Sequence, residues 1–252
     1  MPDGRPAAAW ALVAAYAAGA SRRVSVADVC AVAVRSAEVS GAWVAAEGGQ
    51  GPDFVISVTD SVSEQLAELQ LTLGEGPCRD VLASGAPVLT ADLGSEQSGR
   101  RWPLFAAQAL PLGARAVFAF PLTMGAIRAG VMGLYRSVPG PLPAERFGDS
   151  LVLADLATVL LLDAASHGGN GDGAAAAGPV LDGHSPDLVL HRAEIDQATG
   201  MLTVQLGVPM AEAFARLRAY AYANDRRLAD VARDIVARRL RLHADPGRDV
   251  AP

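Results

Sequence analysis

The stretch HRAEIDQATGMLTVQLGVPMAEAFARLRAYAYANDRRLADVARDIVARRL, His191 to Leu240, carries three apolar stripes at helical spacing. Leu188, Ile195, Leu202 and Leu206, with Ala198 among them, form the first stripe. Ala213, Phe214, Leu217 and Ala221 form the second, and Leu228, Val231, Ala232, Ile235 and Val236 the third. Each set follows the i, i+3, i+4, i+7 pattern that puts side chains on one face of a helix. Gly207-Val208-Pro209 and Asn224-Asp225 separate the stripes. Gly207 suits a left-handed helix end and Pro209 the first turn of the next helix. A small bundle of three helices is predicted.

Three runs within it go further: Glu194-Ile195-Asp196-Gln197-Ala198-Thr199-Gly200-Met201-Leu202, Ala213-Phe214-Ala215-Arg216-Leu217-Arg218 and Leu228-Ala229-Asp230-Val231-Ala232. Together they resemble the ANTAR domain, a family that binds RNA and acts in transcription antitermination. The resemblance covers roughly the last quarter of the chain. The family commonly carries a basic residue between the Ala and Gly of the first helix; here that position is Thr199.

The chain has 252 residues, 51% of them hydrophobic and 19% charged, with a net charge of −6. It is long enough for a real core in one or two domains. Its acidity rules out a wholly basic nucleic-acid coat, so any such affinity must be local or read by shape. All 21 basic residues are Arg. The lack of Lys excludes a P-loop lysine, a Schiff base and a lysine general base. His167, His184, His191 and His243 are the only histidines, so the first 166 residues cannot supply a His-ligated metal or haem. Cys30 and Cys78 have no CxxC spacing, which fits a reducing cytoplasm. No HExxH, GxSxG or strand-borne GxGxxG occurs, and no enzyme activity, metal or cofactor is expected.

Residues 7–20 are small and apolar after Arg5. They can be read as a secretory signal, but Trp10, Val13 and Tyr16 or Ala17 at helical spacing favour an amphipathic helix. The run is short of the roughly 20 residues of a membrane span. Ser25 is a candidate cap for a helix through Val26, Val29, Val32 and Ala33 toward Val39. Gly41–Ala45 and Phe54–Thr59 read as strands and Ser61–Leu71 as a helix. A break at Leu73–Cys78 launches a short helix, followed by a strand at Pro87–Thr90. Arg101–Leu112 is expected to be helical, entered through Trp102-Pro103. Ala114–Leu122 and Ala126–Tyr135 read as paired strands around Met124-Gly125, and a last helix runs from about Pro143 to Asp163. This order predicts an α+β fold, an antiparallel sheet flanked by helices, followed by the small all-α three-helix unit.

The runs LGEGPCRDVLASGAPVLTADL (Leu73–Leu93), RRWPLFAAQALPLGARAVFAFPL (Arg100–Leu122) and GVMGLYRSVPGPL (Gly130–Leu142) are similar to a GAF domain, of the type that precedes ANTAR domains in actinobacterial regulators. The implied layout is a GAF-like sensory or dimerisation domain at 8–165, a linker at 166–185 and an ANTAR-like RNA-binding domain at 186–242. Residues 168–185, GGNGDGAAAAGPVLDGHS, have almost nothing to bury and read as a flexible tether. The resemblance implies a pocket on the sheet face near Gly74–Cys78 for an unidentified small molecule. A Lys-containing cyclic-nucleotide signature is excluded. Phe118, Phe120 and Met132 can line a pocket but read more simply as core. Cys78, after Pro77 at a helix start, can be an activated thiol or a plain buried residue.

In the C-terminal unit, Ala198 and Gly200 are expected to leave a concave seat for an unstacked RNA base. Gln197 and Thr199 offer hydrogen bonds to a base edge. Arg192, Arg216, Arg218, Arg226 and Arg227 offer phosphate contacts, and Tyr220 and Tyr222 offer stacking. By spacing alone, a dimerisation bundle fits better; the family resemblance turns the reading toward RNA. It implies a homodimer on paired stem-loops near terminators, in the cytoplasm and away from membranes. A helix-turn-helix that binds DNA, or a bundle that only dimerises, are the rival readings. Glu194, Asp196, Glu212, Asp225, Asp230 and Asp234 nearly balance the arginines, so few phosphate contacts are expected.

Overall fold

The computed structural model describes residues 4–19, 23–48, 53–168 and 186–243. The predicted tether from 169 to 185 lies outside them. Its predicted first residues, 166–168, are the end of a helix. In chain order the elements are α1 (Arg5–Gly19), α2 (Val26–Ser36), β1 (Gly41–Ala46), β2 (Phe54–Val58), α3 (Ser61–Leu73), α4 (Pro77–Ser84), β3 (Val88–Thr90), α5 (Glu96–Arg101), α6 (Pro103–Ala109), β4 (Ala116–Met124), β5 (Ile127–Arg136) and α7 (Ala144–Gly168). Three helices follow: α8 (Pro186–Leu206), α9 (Met210–Ala223) and α10 (Leu228–Val236).

The five strands pair antiparallel in the order β2-β1-β5-β4-β3. Both faces of the sheet are covered, which explains why β4 and β5 read as unbroken apolar runs rather than as an alternation. On β4, Phe118, Phe120 and Leu122 turn toward α1, α2 and α7, where Val29, Ala33, Leu153 and Ala157 meet them. Val117 and Ala119 turn the other way, into a second core with Trp43, Leu66, Val81 and Phe105 from β1, α3, α4 and α6. The period of two in a strand makes this division. Phe118, Phe120 and Met132 are fully buried in the first core.

The ends of the elements follow from local chemistry. Ser25 N–H donates to Asp28 Oδ2 at 2.9 Å, closing the start of α2. Asp60 Oδ1 accepts from Ser63 N–H at 2.9 Å at the start of α3, and Tyr135 Oη donates to the same oxygen from β5 at 3.2 Å. Gly74, at φ 71°, ends α3 in the left-handed region. The single helix expected over Arg101–Leu112 is two. Trp102 sits at φ −136° and ψ 72°, because a residue before proline is pushed out of the helical region. Glu75 Oε1 then accepts from the N–H groups of Leu104 and Phe105 at 2.7 Å each, meeting the open end of α6. The preceding helix α5, capped by Ser95, is not anticipated by any apolar periodicity.

The helical module packs as its stripes demand. Ala198, Leu202, Ala213, Leu217, Ala221, Leu228, Val231, Ala232 and Ile235 form one buried cluster. Gly207, at φ 65°, turns the chain between α8 and α9. Asp225, at φ 50°, makes the second turn. This module rests on the sheet module through α9 against α3 and α8 against β2.

Candidate nucleic-acid interface

The arginines singled out in the sequence divide into two groups. Arg216 and Arg226 are held within the helical module. Arg216 pairs with Glu212 one turn earlier at 2.8 Å. Arg226 reaches Asp234 Oδ2 at 2.6 Å, and Arg239 meets the other oxygen of that carboxylate. The hydrogen bonds from Arg226 and then Arg239 hold the Asp234 carboxyl below the usual range.

Arg192, Arg218 and Arg227 point across the junction onto the sheet module. The Arg192 guanidinium lies 3.4 Å from the centroid of the Phe54 ring at the start of β2. Arg218 Nε donates to the carbonyl of Thr72, in the last turn of α3, at 2.9 Å. The Arg227 fork spans two carboxylates of α3, with Nη2 at 2.6 Å from Glu64 Oε1 and Nε at 2.8 Å from Glu68 Oε2. The remaining Glu68 oxygen accepts the N–H of Leu228 at 3.0 Å. That amide belongs to the first turn of α10, whose N-cap position is Arg227 and has no side-chain cap of its own. Burial lowers the pKa of Arg192 and of Arg218; Asp196 opposes this at the first, while Arg79 adds to it at the second. Burial likewise raises Asp196, against the pull of Arg192.

The small-residue seat expected on α8 is not formed. Ala198 and Thr199 are both fully buried, and Thr199 Oγ1 donates to the Ile195 carbonyl at 2.7 Å. Residues two apart on a helix are separated by about 200°, so Ala198 and Gly200 cannot share a face. Gly200 lies on the open side, where an added Cβ would meet nothing within 4 Å. It lines a shallow groove with Met201, Val204, Ile235, Arg238 and Arg241. Gln197 is exposed on α8, and Tyr222 is 46% exposed on α9.

Sequence reasoning missed the acceptors on the sheet module: Glu64, Glu68 and the Thr72 carbonyl. One signal was available. Glu64 and Glu68 are four apart on α3, where like charges repel unless a cation faces them. A groove of about 880 Å³ runs beside this contact, between α3, α6 and α9, and exposes Glu64, Glu68, Tyr222 and Arg227 along its wall. A smaller crevice of about 40 Å³ remains inside the junction, lined by Phe54, Leu71, Leu188, Ile195 and Leu228.

Neither cysteine is set up as a reactive thiol. Burial pushes both Cys30 and Cys78 up to about 12. The Cys78 N–H donates to Gln70 Oε1 at 2.8 Å, so the start of α4 is already occupied.

Among solved structures, the chain is similar to the GAF domain of a phosphoenolpyruvate-protein phosphotransferase from Coxiella burnetii. The two are 15% identical with a TM-score of 0.48, over 65% of this chain and 98% of that one. The corresponding domain from Acinetobacter gives 12% identity and a TM-score of 0.48, over 67% of this chain and 99% of that one. The GAF-B domain of DevS from Mycobacterium smegmatis gives 19% and 0.40, over 55% and 91%. No curated protein matches the chain. Among the described residues, no helix is long and apolar enough to cross a membrane. Residues 189–236 match the family described as the ANTAR domain, and the helical module of this chain is therefore an ANTAR domain.

Proposed function

We propose that the chain is a cytoplasmic RNA-binding regulator of transcription antitermination, with its sheet module acting as a GAF-like sensory or dimerisation unit. The match of 189–236 to the ANTAR domain carries this reading. The GAF-like sequence runs in the first 165 residues support the second half of it. The bound RNA is a pair of adjacent stem-loops, and its capture stabilises an antiterminator against the terminator that would otherwise form. Two hairpins call for two ANTAR modules, so the active species is a homodimer. Linking the modules raises the effective concentration for the second hairpin.

Gln197 and Tyr222 are the exposed groups for base-edge and stacking contacts. Arg192, Arg216, Arg218, Arg226 and Arg227 are the cationic set, and Gly200 leaves room for close approach. Ala198 and Thr199 contribute by packing beneath this surface.

The reading is tested by filter binding of the full chain to a two-hairpin RNA and to duplex DNA of the same sequence, over a salt series. We expect the RNA alone to be retained. Two or three phosphate contacts predict a slope of log K on log salt of roughly −2. Equal retention of the duplex would favour a DNA-binding regulator, and retention of neither would leave a dimerisation module.

A further inference from the structure

We propose that the α3 face of the sheet module occupies the ANTAR arginines in place of RNA, so that RNA and the sheet module compete for them. This rests on the RNA-binding reading above. The chemistry of the junction is the chemistry of a nucleic acid, presented by protein. Phe54 offers Arg192 a flat π-face at 3.4 Å, as a base would. Glu64 and Glu68 offer the Arg227 fork two anionic oxygens at 2.6 and 2.8 Å, as phosphate does. The Thr72 carbonyl offers Arg218 the negative end of a helix. Three of the five arginines of the proposed RNA-binding set are engaged in this way, from three different helices or helix starts. Gln197 and Tyr222 are left exposed.

The junction is built to open. Its ion pairs are only partly buried: the Arg227 side chain keeps 46% exposure and that of Glu64 29%. A crevice of about 40 Å³ lies between the two modules, lined by charged residues such as Glu64, Glu68 and Arg227 as well as by apolar ones. The groove of about 880 Å³ alongside gives an incoming strand access to Tyr222 and Arg227 while the modules remain in contact. Opening leaves Glu64 and Glu68 facing each other uncompensated, a cost that favours the closed junction until RNA or a signal offsets it. Any signal that separates α3 from α9 therefore raises RNA affinity, and RNA in turn favours separation.

The apparent dissociation constant equals the intrinsic one divided by the open fraction. A junction closed in about nine molecules of ten weakens binding about tenfold. The test uses the full chain and its E64Q/E68Q variant, which keeps side-chain volume and replaces no residue of the proposed RNA-binding set. A second variant, F54L, removes the ring beneath Arg192. Two measurements are made on each: filter binding of the two-hairpin RNA, and hydrogen exchange at the Leu228 amide and the last turn of α3.

We expect faster exchange in the variants, about tenfold tighter RNA binding by E64Q/E68Q, and loss of the same protection when the unaltered chain is saturated with RNA. Faster exchange with unchanged or weaker affinity would overturn the competition while leaving RNA binding intact. So would RNA-saturated protein that keeps its Leu228 and α3 protection. Unchanged exchange in both variants would show that these groups do not hold the junction. Failure of every form to bind the RNA would overturn the RNA reading itself, and the competition with it.

Discussion

Replacing Gly74 by Ala should strain the chain and loosen the junction at one stroke, and the two effects can be separated. Gly74 ends α3 at φ 71°, a conformation that costs a residue with a Cβ roughly 1–2 kcal/mol. The new methyl would also overlap Arg218 Nη2. The guanidinium is the far end of a flexible side chain, so it gives way rather than the backbone. In moving, it loses its bond to the Thr72 carbonyl. A hydrogen bond with one charged partner is worth about 1.5–3 kcal/mol, and partial exposure of Arg218 brings this to about 1 kcal/mol. The expected total is about 2–3 kcal/mol. Urea unfolding of four proteins measures it: the unaltered chain, Gly74→Ala, Arg218→Ala and the double variant. With Arg218 already removed, Gly74→Ala should cost only the backbone strain, leaving a coupling of about 1 kcal/mol. Gly74→Asn, which tolerates the left-handed region, should cost less than Gly74→Ala while displacing Arg218 equally. A coupling below about 0.3 kcal/mol would refute the claim that Arg218 is seated against Gly74.

Three further outcomes are expected. Gly133→Ala would drive a methyl into the buried Trp43 indole across the β1–β5 pair, and overpacking of this kind costs about 1–3 kcal/mol, read as a lower urea midpoint. Both thiols have a folded pKa of about 12 against an ordinary 9.0, so the folded state holds its protons longer. That stabilisation is complete below pH 9 and is lost as pH rises toward 12; thiol reagents at pH 8 should label neither cysteine until denaturant is added. Thr199→Lys, which restores the family's basic residue, should destabilise the helical module by about 2 kcal/mol instead of improving RNA binding, because position 199 is fully buried here. Circular dichroism melts beside RNA titrations check this.

The architecture was legible wherever burial follows periodicity. The stripes of α8, α9 and α10 named the residues that form the helical core, including Ala213, Leu217, Val231 and Ile235. The β-branched and aromatic residues of β1 and β2 mark them as strands, and Ser25 before Val26 marks the start of α2. The misreadings have local causes. Trp102-Pro103 had to divide a helix, by the restriction proline imposes on the residue before it. Ala198 and Gly200 are both small, but their spacing sets them on opposite sides of α8. The junction was out of reach for a different reason. Arg227 and Glu64 lie 163 residues apart, and no periodicity in either segment encodes which helix face the other will meet. The like-charged pair on α3 announced a cationic partner but could not name it.

The bond from Leu228 N–H to Glu68 has a practical corollary for anyone dissecting this chain. It makes the start of α10 depend on a side chain 160 positions earlier. A fragment cut to residues 189–236 keeps the nine buried residues of its core yet loses the cap that Glu68 gives that helix, at a cost of about 1 kcal/mol. Weak RNA binding by such a fragment would then report a frayed third helix as readily as a missing contact. Circular dichroism of the fragment beside its RNA titration separates the two, and the excised module is compared fairly with the one in the whole chain only at equal helix content.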